Sequence, residues 1–140
     1  MKLNSKNLAV YRALDANCNR VREGLRVAED TARFIFNDPI LLKKIKNLRH
    51  RVTLVEKDLF QSPRLRNVAR DIQKDLGRGN VEKSERSRKD PGDLFRANLK
   101  RAQEGLRSLE EFSKLIGHPA SRRFKTIRYE CYKIEEKHLS

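Results

Sequence analysis

The chain repeats itself, and no other feature constrains its fold as strongly. Residues 16–35 read ANCNRVREGLRVAEDTARFI, and residues 97–116 read ANLKRAQEGLRSLEEFSKLI. At an offset of 81, 9 of 20 positions are identical. Most of the others are conservative, such as Asp30 against Glu111 and Arg33 against Lys114. Past a two-residue gap, Leu48-Arg49-His50 returns as Ile127-Arg128-Tyr129, and Val55-Glu56 returns as Ile134-Glu135. Self-similarity of this kind marks a duplicated supersecondary unit. Two copies can pair about a pseudo-twofold, which doubles every polar residue that both carry.

The repeated unit reads as helix. Leu14, Cys18, Val21, Leu25, Ala28, Ala32 and Ile35 step by 4 and 3, an apolar helix stripe rather than a strand. The second copy gives Phe95, Leu99, Ala102, Leu106, Leu109, Ser113 and Ile116, with one polar slip. Asp38-Pro39 and Asp90-Pro91 each pair a capping residue with a proline at the first helical position. After Asp38-Pro39 runs a stripe of Leu41, Ile45, Leu48, Val52, Val55 and Leu59. The last segment opens at Pro119 and carries Ala120, Phe124, Ile127, Cys131 and Ile134. Between the hairpins, Ser62-Pro63 can start a shorter helix that ends at Gly77. Residues 77–90 hold one apolar residue in 14 and read as an exposed, mobile loop. The expectation is an all-α antiparallel bundle of two repeated helical hairpins. It forms one domain over 1–140: repeat one over about 8–60, a middle segment over 61–90, and repeat two over about 91–138.

Lys and Arg total 33 against 19 acids, a formal net charge of +14. That favours a polyanionic partner: nucleic acid, an anionic membrane surface or phosphorylated small molecules. Aromatics make up 6% with no Trp, so the core must be aliphatic. No apolar run approaches the roughly 20 residues of a membrane span, and MKLNSKNLAV lacks the apolar region of a signal peptide. The chain therefore reads as cytoplasmic. Cys18 and Cys131 fall on apolar stripes and read as buried, reduced thiols.

At about 100° per residue, the first repeated helix has three faces. Beside the apolar stripe lies a mixed face with Ala13, Asn17, Arg20, Gly24, Val27, Thr31 and Phe34. A charged face carries Asp15, Arg22, Arg26, Glu29, Asp30 and Arg33, with Glu23 at its border with the mixed face. The second copy matches with Asn98, Arg101 and Gly105 on the mixed face and Glu104 at the border. A helix-interior glycine costs roughly 1 kcal/mol against alanine. Gly24 and Gly105 thus point either to a close crossing of the two repeated helices or to a ligand against the backbone. The charged face reads as solvation, with Arg26–Asp30 and Glu23–Arg26 as intrahelical pairs. Asn17 and Arg20 sit beside small residues, where polar groups need partners; a substrate oxygen or a carboxylate such as Glu104 could serve.

Together, YRALDANCNRVREGLRVAED, LRHRV, ARDIQKDLG, ANLKRAQEGLRSLEEFSKL and IRYECY resemble one family. It is the all-helical bacterial hydroxymethylpyrimidine phosphate kinase of thiamin biosynthesis, a domain also found fused ahead of thiamine-phosphate synthase. The similarity runs from Tyr11 to Lys137 and is weakest over residues 78–90. It implies ATP-dependent conversion of 4-amino-5-hydroxymethyl-2-methylpyrimidine phosphate to its diphosphate, with Mg²⁺. It also implies that this chain is not itself the synthase, whose (β/α)₈ barrel needs upwards of about 200 residues. ATP and a phosphomonoester together bring about six negative charges, which suits arginines and a carboxylate-held Mg²⁺.

Within the family words, the face analysis selects Arg20 and Arg101 for phosphates. Asn17 and Asn98 orient the pyrimidine or ribose. Glu23 and Glu104 are the Mg²⁺ or amino-group partners. Arg26, Arg107 and Arg49 join the substrate and ATP contacts, and Arg70, Asp71 and Asp75 close the site from the middle segment. The expected partners are the phosphorylated pyrimidine and ATP, a thiamine-phosphate synthase, and a second copy of the chain as a homodimer. Two other classes stay open. One is a non-catalytic helical module accessory to thiamin-phosphate synthesis. The other is a basic nucleic-acid binder, which rests on charge alone and lacks an aromatic stacking platform.

Overall fold

The computed structural model describes residues 5–61, 66, 70 and 87–139. Among the described residues there are four α-helices: α1 (Ser5–Asp30), α2 (Pro39–Phe60), α3 (Pro91–Leu115) and α4 (Ala120–Leu139). A π-helical turn, Thr31–Ile35, continues α1. Among the described residues there is no strand, so the all-α reading holds. The shorter helix expected from Ser62-Pro63 lies outside the described residues, apart from Arg66 and Arg70.

The local signals act as their chemistry dictates. Asp38 Oδ1 accepts from the Ile40 and Leu41 amides at 3.1 and 3.0 Å, and Asp90 Oδ1 accepts from the Asp93 amide at 2.8 Å. Each cap satisfies amides that have no intrahelical partner, and each is followed by a proline that has no amide proton to satisfy. The stripes of α2 and α4 are buried along their whole length, from Leu41 to Leu59 and from Ala120 to Ile134. In α3 the polar slip is satisfied: buried Ser113 donates its hydroxyl to the Leu109 carbonyl at 2.6 Å. One stripe position departs from expectation. Ile35 is 52% exposed. The π turn bonds the Phe36 amide to the Thr31 carbonyl, five residues back. That extra residue rotates the chain off its register, so the last stripe position turns outward.

α1 and α3 form the central pair. α2 flanks α1, α4 flanks α3, and α2 also touches α4, closing a four-helix ring. The central pair crosses at the repeated glycines. A Cβ on Gly24 would lie 2.7 Å from the Asn98 carbonyl oxygen and 3.3 Å from the Ala102 amide. A Cβ on Gly105 would lie 2.7 Å from Val21 Cγ2 and 3.4 Å from the Asn17 carbonyl oxygen. Each glycine faces the counterpart of what faces the other, and the contacts run in opposite directions along the two helices. This is an antiparallel crossing about a pseudo-twofold, and close helix contact explains both glycines.

The same symmetry governs the polar pairs. Glu29 on α1 binds Arg49 on α2, with Nε donating at 2.7 Å and Nη2 at 3.4 Å. Glu110 on α3 binds Arg128 on α4 in the same two-pronged way, Nη2 donating at 3.0 Å. Glu29 is 6% exposed and Glu110 2%. The charged face is therefore not merely solvated, as spacing suggested: its glutamates clamp the helices within each hairpin. Nor do the two expected intrahelical pairs form among the described residues; Arg26 instead lies 3.8 Å from Glu29.

Candidate functional site

The mixed face of the repeat opens onto a cavity of about 800 Å³ over the α1/α3 crossing. From α1 come Glu23, Gly24 and Val27; from α3 come Asn98, Lys100, Arg101 and Glu104. The segment before α3 and its first turn add Arg88, Lys89 and Asp93. The volume falls within the range of small-molecule sites, roughly 300–1,000 Å³.

The chain places these groups together for a simple reason. The glycines let the two helices approach closely, so border residues on both converge over the crossing. Glu23 and Glu104, 81 positions apart, thereby share one cavity. Neither carboxylate has an ion-pair partner among the described residues, and neither does Arg101. Many acids elsewhere on the helices differ, although Asp30, Glu135 and Glu136 also show no ion pair among the described residues. Asp15, Glu29, Glu56, Asp58, Glu110, Glu111 and Glu130 all hold a cation. Unpaired opposite charges around a concave surface are the arrangement a charged ligand requires.

The two repeated asparagines serve the backbone first. Asn17 Nδ2 donates to the Ala13 carbonyl at 2.8 Å, and Asn98 Nδ2 donates to the Leu94 carbonyl at 2.9 Å. In the first copy Arg20 Nη1 donates to Asn17 Oδ1 at 3.3 Å, so Asn17 and Arg20 satisfy each other without Glu104. In the second copy Arg101 and Asn98 both line the cavity.

The structure thus brings Glu23, Asn98, Arg101 and Glu104 together. Asn17 and Arg20 stand on the matching face of the first copy. Arg26 and Arg49 gather at Glu29 instead, and Arg107 lies 3.1 Å from Glu111 and 3.9 Å from Glu110. Arg70 grips buried Asp15 in a two-pronged pair at 2.8 and 3.0 Å. Asp71 and Asp75 lie outside the described residues. Lys89, Asp93 and Lys100 line the cavity without having been singled out from sequence. Lys100 matches Asn19 and Asp93 matches Arg12 in the first copy, so a search guided by what repeats passes over them.

A second polar cluster, also missed, marks the first copy. Glu56 is fully buried, 3.0 Å from Arg22 and 3.1 Å from Arg66. Its counterpart Glu135 meets neutral Gln103 instead of an arginine. Both Glu56 oxygens lack a donor in hydrogen-bonding alignment. Burial therefore outweighs the two arginines and raises the Glu56 carboxyl above the usual range. Burial likewise pushes the Cys18 thiol well up and the Cys131 thiol to about 12. Both cysteines are free and buried, as their stripe positions implied.

Among the described residues, no three or more His, Cys, Asp or Glu side chains gather as a metal cage. Mg²⁺ does not demand one, since it keeps waters and binds substrate phosphates beside one or two carboxylates. Unpaired Glu23 and Glu104 fit that demand. Among the described residues, no helix is long and apolar enough to cross a membrane.

A thiamine-phosphate synthase of Rhodopirellula baltica is 38% identical over 130 residues, 92% of this chain and 34% of that protein. One from Prochlorococcus marinus is 35% identical over 93% of this chain and 35% of its own length. One from Gloeobacter violaceus is 40% identical over 90% of this chain and 35% of its own length. The chain spans about a third of the length of these relatives. No solved structure matches it. The model of the ThiD2 family matches residues 12–137, and the chain belongs to that family.

Proposed function

We propose that the chain catalyses ATP-dependent phosphorylation of 4-amino-5-hydroxymethyl-2-methylpyrimidine phosphate to the diphosphate, a step of thiamin biosynthesis. The observation that carries this reading is the α1/α3 cavity, where Glu23, Arg101 and Glu104 meet without ion-pair partners among the described residues. Family membership and the names of the relatives support the thiamin setting.

The chemistry suits such a site. A phosphate oxygen of the acceptor bonds to the γ-phosphorus of ATP, the bond to the β-bridging oxygen breaks, and ADP leaves. The attacking oxygen is already anionic near neutral pH, so no strong base is required. What remains is positioning and neutralisation of charge. Arg101, Lys100 and Lys89 would meet phosphate oxygens, and Asn98 would orient a polar edge of the pyrimidine or ribose. Glu23 and Glu104 would hold Mg²⁺, which when bound neutralises phosphate charge. Arg20 and Asn17, on the matching face of the first copy, would serve the second phosphorylated substrate.

A second reading is favoured by one observation: the chain matches only a third of relatives named for a different activity. It would then be a helical accessory module of a synthase. One experiment separates the two. Purified chain with MgATP and the pyrimidine monophosphate, read by mass spectrometry, yields the diphosphate and ADP. No product under conditions where a known kinase turns over would overturn the kinase reading; co-purification with a synthase without ATP binding would favour the module.

A further inference from the structure

A second basic cavity lies between α3 and α4; it shares no lining residue with the α1/α3 cavity, and of its lining only Arg107 was expected among the substrate contacts. It encloses about 600 Å³ and is lined by Arg107, Lys114, Arg122 and Lys125, with Pro119 and Ser121 at the start of α4. Buried Glu110 at its edge already has both oxygens engaged by Arg128. Arg107 and Lys114 share the single exposed carboxylate of Glu111, at 3.1 and 2.9 Å. Arg122 has no ion-pair partner among the described residues, and the Lys125 ammonium lies over the Tyr129 ring at 5.9 Å. With Arg128 included, five cations face two acids. A concave surface with that imbalance draws anions.

The duplication supplies an internal control. The first-copy counterparts are Arg26, Arg33, Lys43, Lys46 and Arg49, with Glu29 and Asp30. Again five cations accompany two acids. Charge is kept at some other positions, such as Arg20 with Arg101 and Glu23 with Glu104, but it is lost at several. Arg22 corresponds to Gln103, Asp15 to Arg96, Arg51 to Glu130 and Asp58 to Lys137. The basic cluster is therefore a retained property of the unit rather than a by-product of a basic composition.

We propose that the α3/α4 cavity binds a small oligophosphate, a molecule bearing a pyrophosphate group, at a site distinct from the α1/α3 cavity. A net excess of three cations matches a pyrophosphate better than a single phosphate, which carries about two charges. The size suits a small ligand rather than a duplex. The inference stands on this cavity's own residues and does not rest on the kinase reading.

The test is calorimetric titration with inorganic pyrophosphate. Replacing Arg122→Gln and Lys125→Gln together removes two cations on an exposed surface. The Kd for pyrophosphate should rise about tenfold or more, given the strength of hydrogen bonds to charged groups. Arg101→Ala should leave that binding in place, and turnover by the double variant should match wild type. Circular dichroism checks helicity, and Arg122→Gln alone serves if the double variant loses it. Unchanged pyrophosphate binding in the double variant, or loss of all binding in Arg101→Ala, overturns the proposal. So does a short single-stranded oligonucleotide that binds more tightly than pyrophosphate through the same two residues, which would make the surface a nucleic-acid contact.

Discussion

Gly24→Ala is the sharpest test of how the two copies meet. Intrinsic helix propensity alone predicts that alanine stabilises α1 by about 1 kcal/mol. The crossing predicts the opposite. The new Cβ would sit 2.7 Å from the Asn98 carbonyl oxygen and 3.3 Å from the Ala102 amide nitrogen. Both partners are backbone atoms of α3, so relief requires moving a whole helix. Overpacking of this kind costs about 1–3 kcal/mol, and a rigid partner pushes it toward the upper end. The net effect is a loss of about 1–2 kcal/mol after the propensity gain. Gly105→Ala should cost less, because its closest contact, also at 2.7 Å, is the Val21 Cγ2 methyl rather than a carbonyl. Urea unfolding followed by circular dichroism measures both. With a slope of about 2 kcal/mol per molar urea, the Gly24→Ala midpoint should fall by about 0.5–1 M. A Gly24→Ala protein as stable as wild type, or a larger loss at Gly105 than at Gly24, would refute the antiparallel glycine crossing.

Other consequences follow from the buried polar groups. Arg128→Ala strands the Glu110 carboxylate and should cost about 3 kcal/mol; Arg49→Ala should cost somewhat less, because Arg49 is more exposed, and unfolding midpoints rank the two. Glu56 titrates higher in the folded protein than in the unfolded chain, so the folded state holds its proton longer. Its contribution is therefore most favourable at low pH and is lost as pH rises through the folded pKa. Wild-type stability relative to Glu56→Gln should decline across that window, and a difference that grows with pH would contradict the burial argument. Cys18 and Cys131, both buried with raised pKa, should resist a thiol-alkylating reagent near neutral pH until the protein is unfolded; rapid labelling of the native protein would show that α1 or α4 opens.

Much of the fold was legible because helix periodicity and duplication report the same thing. The stripes from Leu41 to Leu59 and from Ala120 to Ile134 named the buried faces, and Asp38-Pro39 and Asp90-Pro91 marked the helix starts. Glycines at matching places left a helix crossing and a ligand approach both open, and the 2.7 Å contacts decide for the crossing. Other features were out of reach for physical reasons. Spacing reveals neighbours three or four residues apart on one helix. It does not reveal that Glu29 turns to Arg49 on the next helix, or Glu110 to Arg128. A signal did exist: both ends of that pair repeat, Glu29 as Glu110 and Arg49 as Arg128. The π turn at Thr31–Ile35 had no sequence mark, and it alone displaced Ile35 from the core. Of the candidate site, the repeated residues converged in part: Glu23, Asn98, Arg101 and Glu104 share a cavity. Lys89, Asp93 and Lys100 escaped attention because they belong to one copy only.

The most direct test of the account is the steady-state rate of Arg101→Ala with MgATP and the pyrimidine monophosphate. Arg101 lines the α1/α3 cavity without an ion-pair partner among the described residues, so its loss breaks no described salt bridge and, under the proposed function, would remove phosphate stabilisation. The account predicts a fall in kcat of about 10²–10³-fold with helicity and unfolding midpoint unchanged. Wild-type kinetics in Arg101→Ala would contradict the assignment of this cavity as the site of phosphoryl transfer.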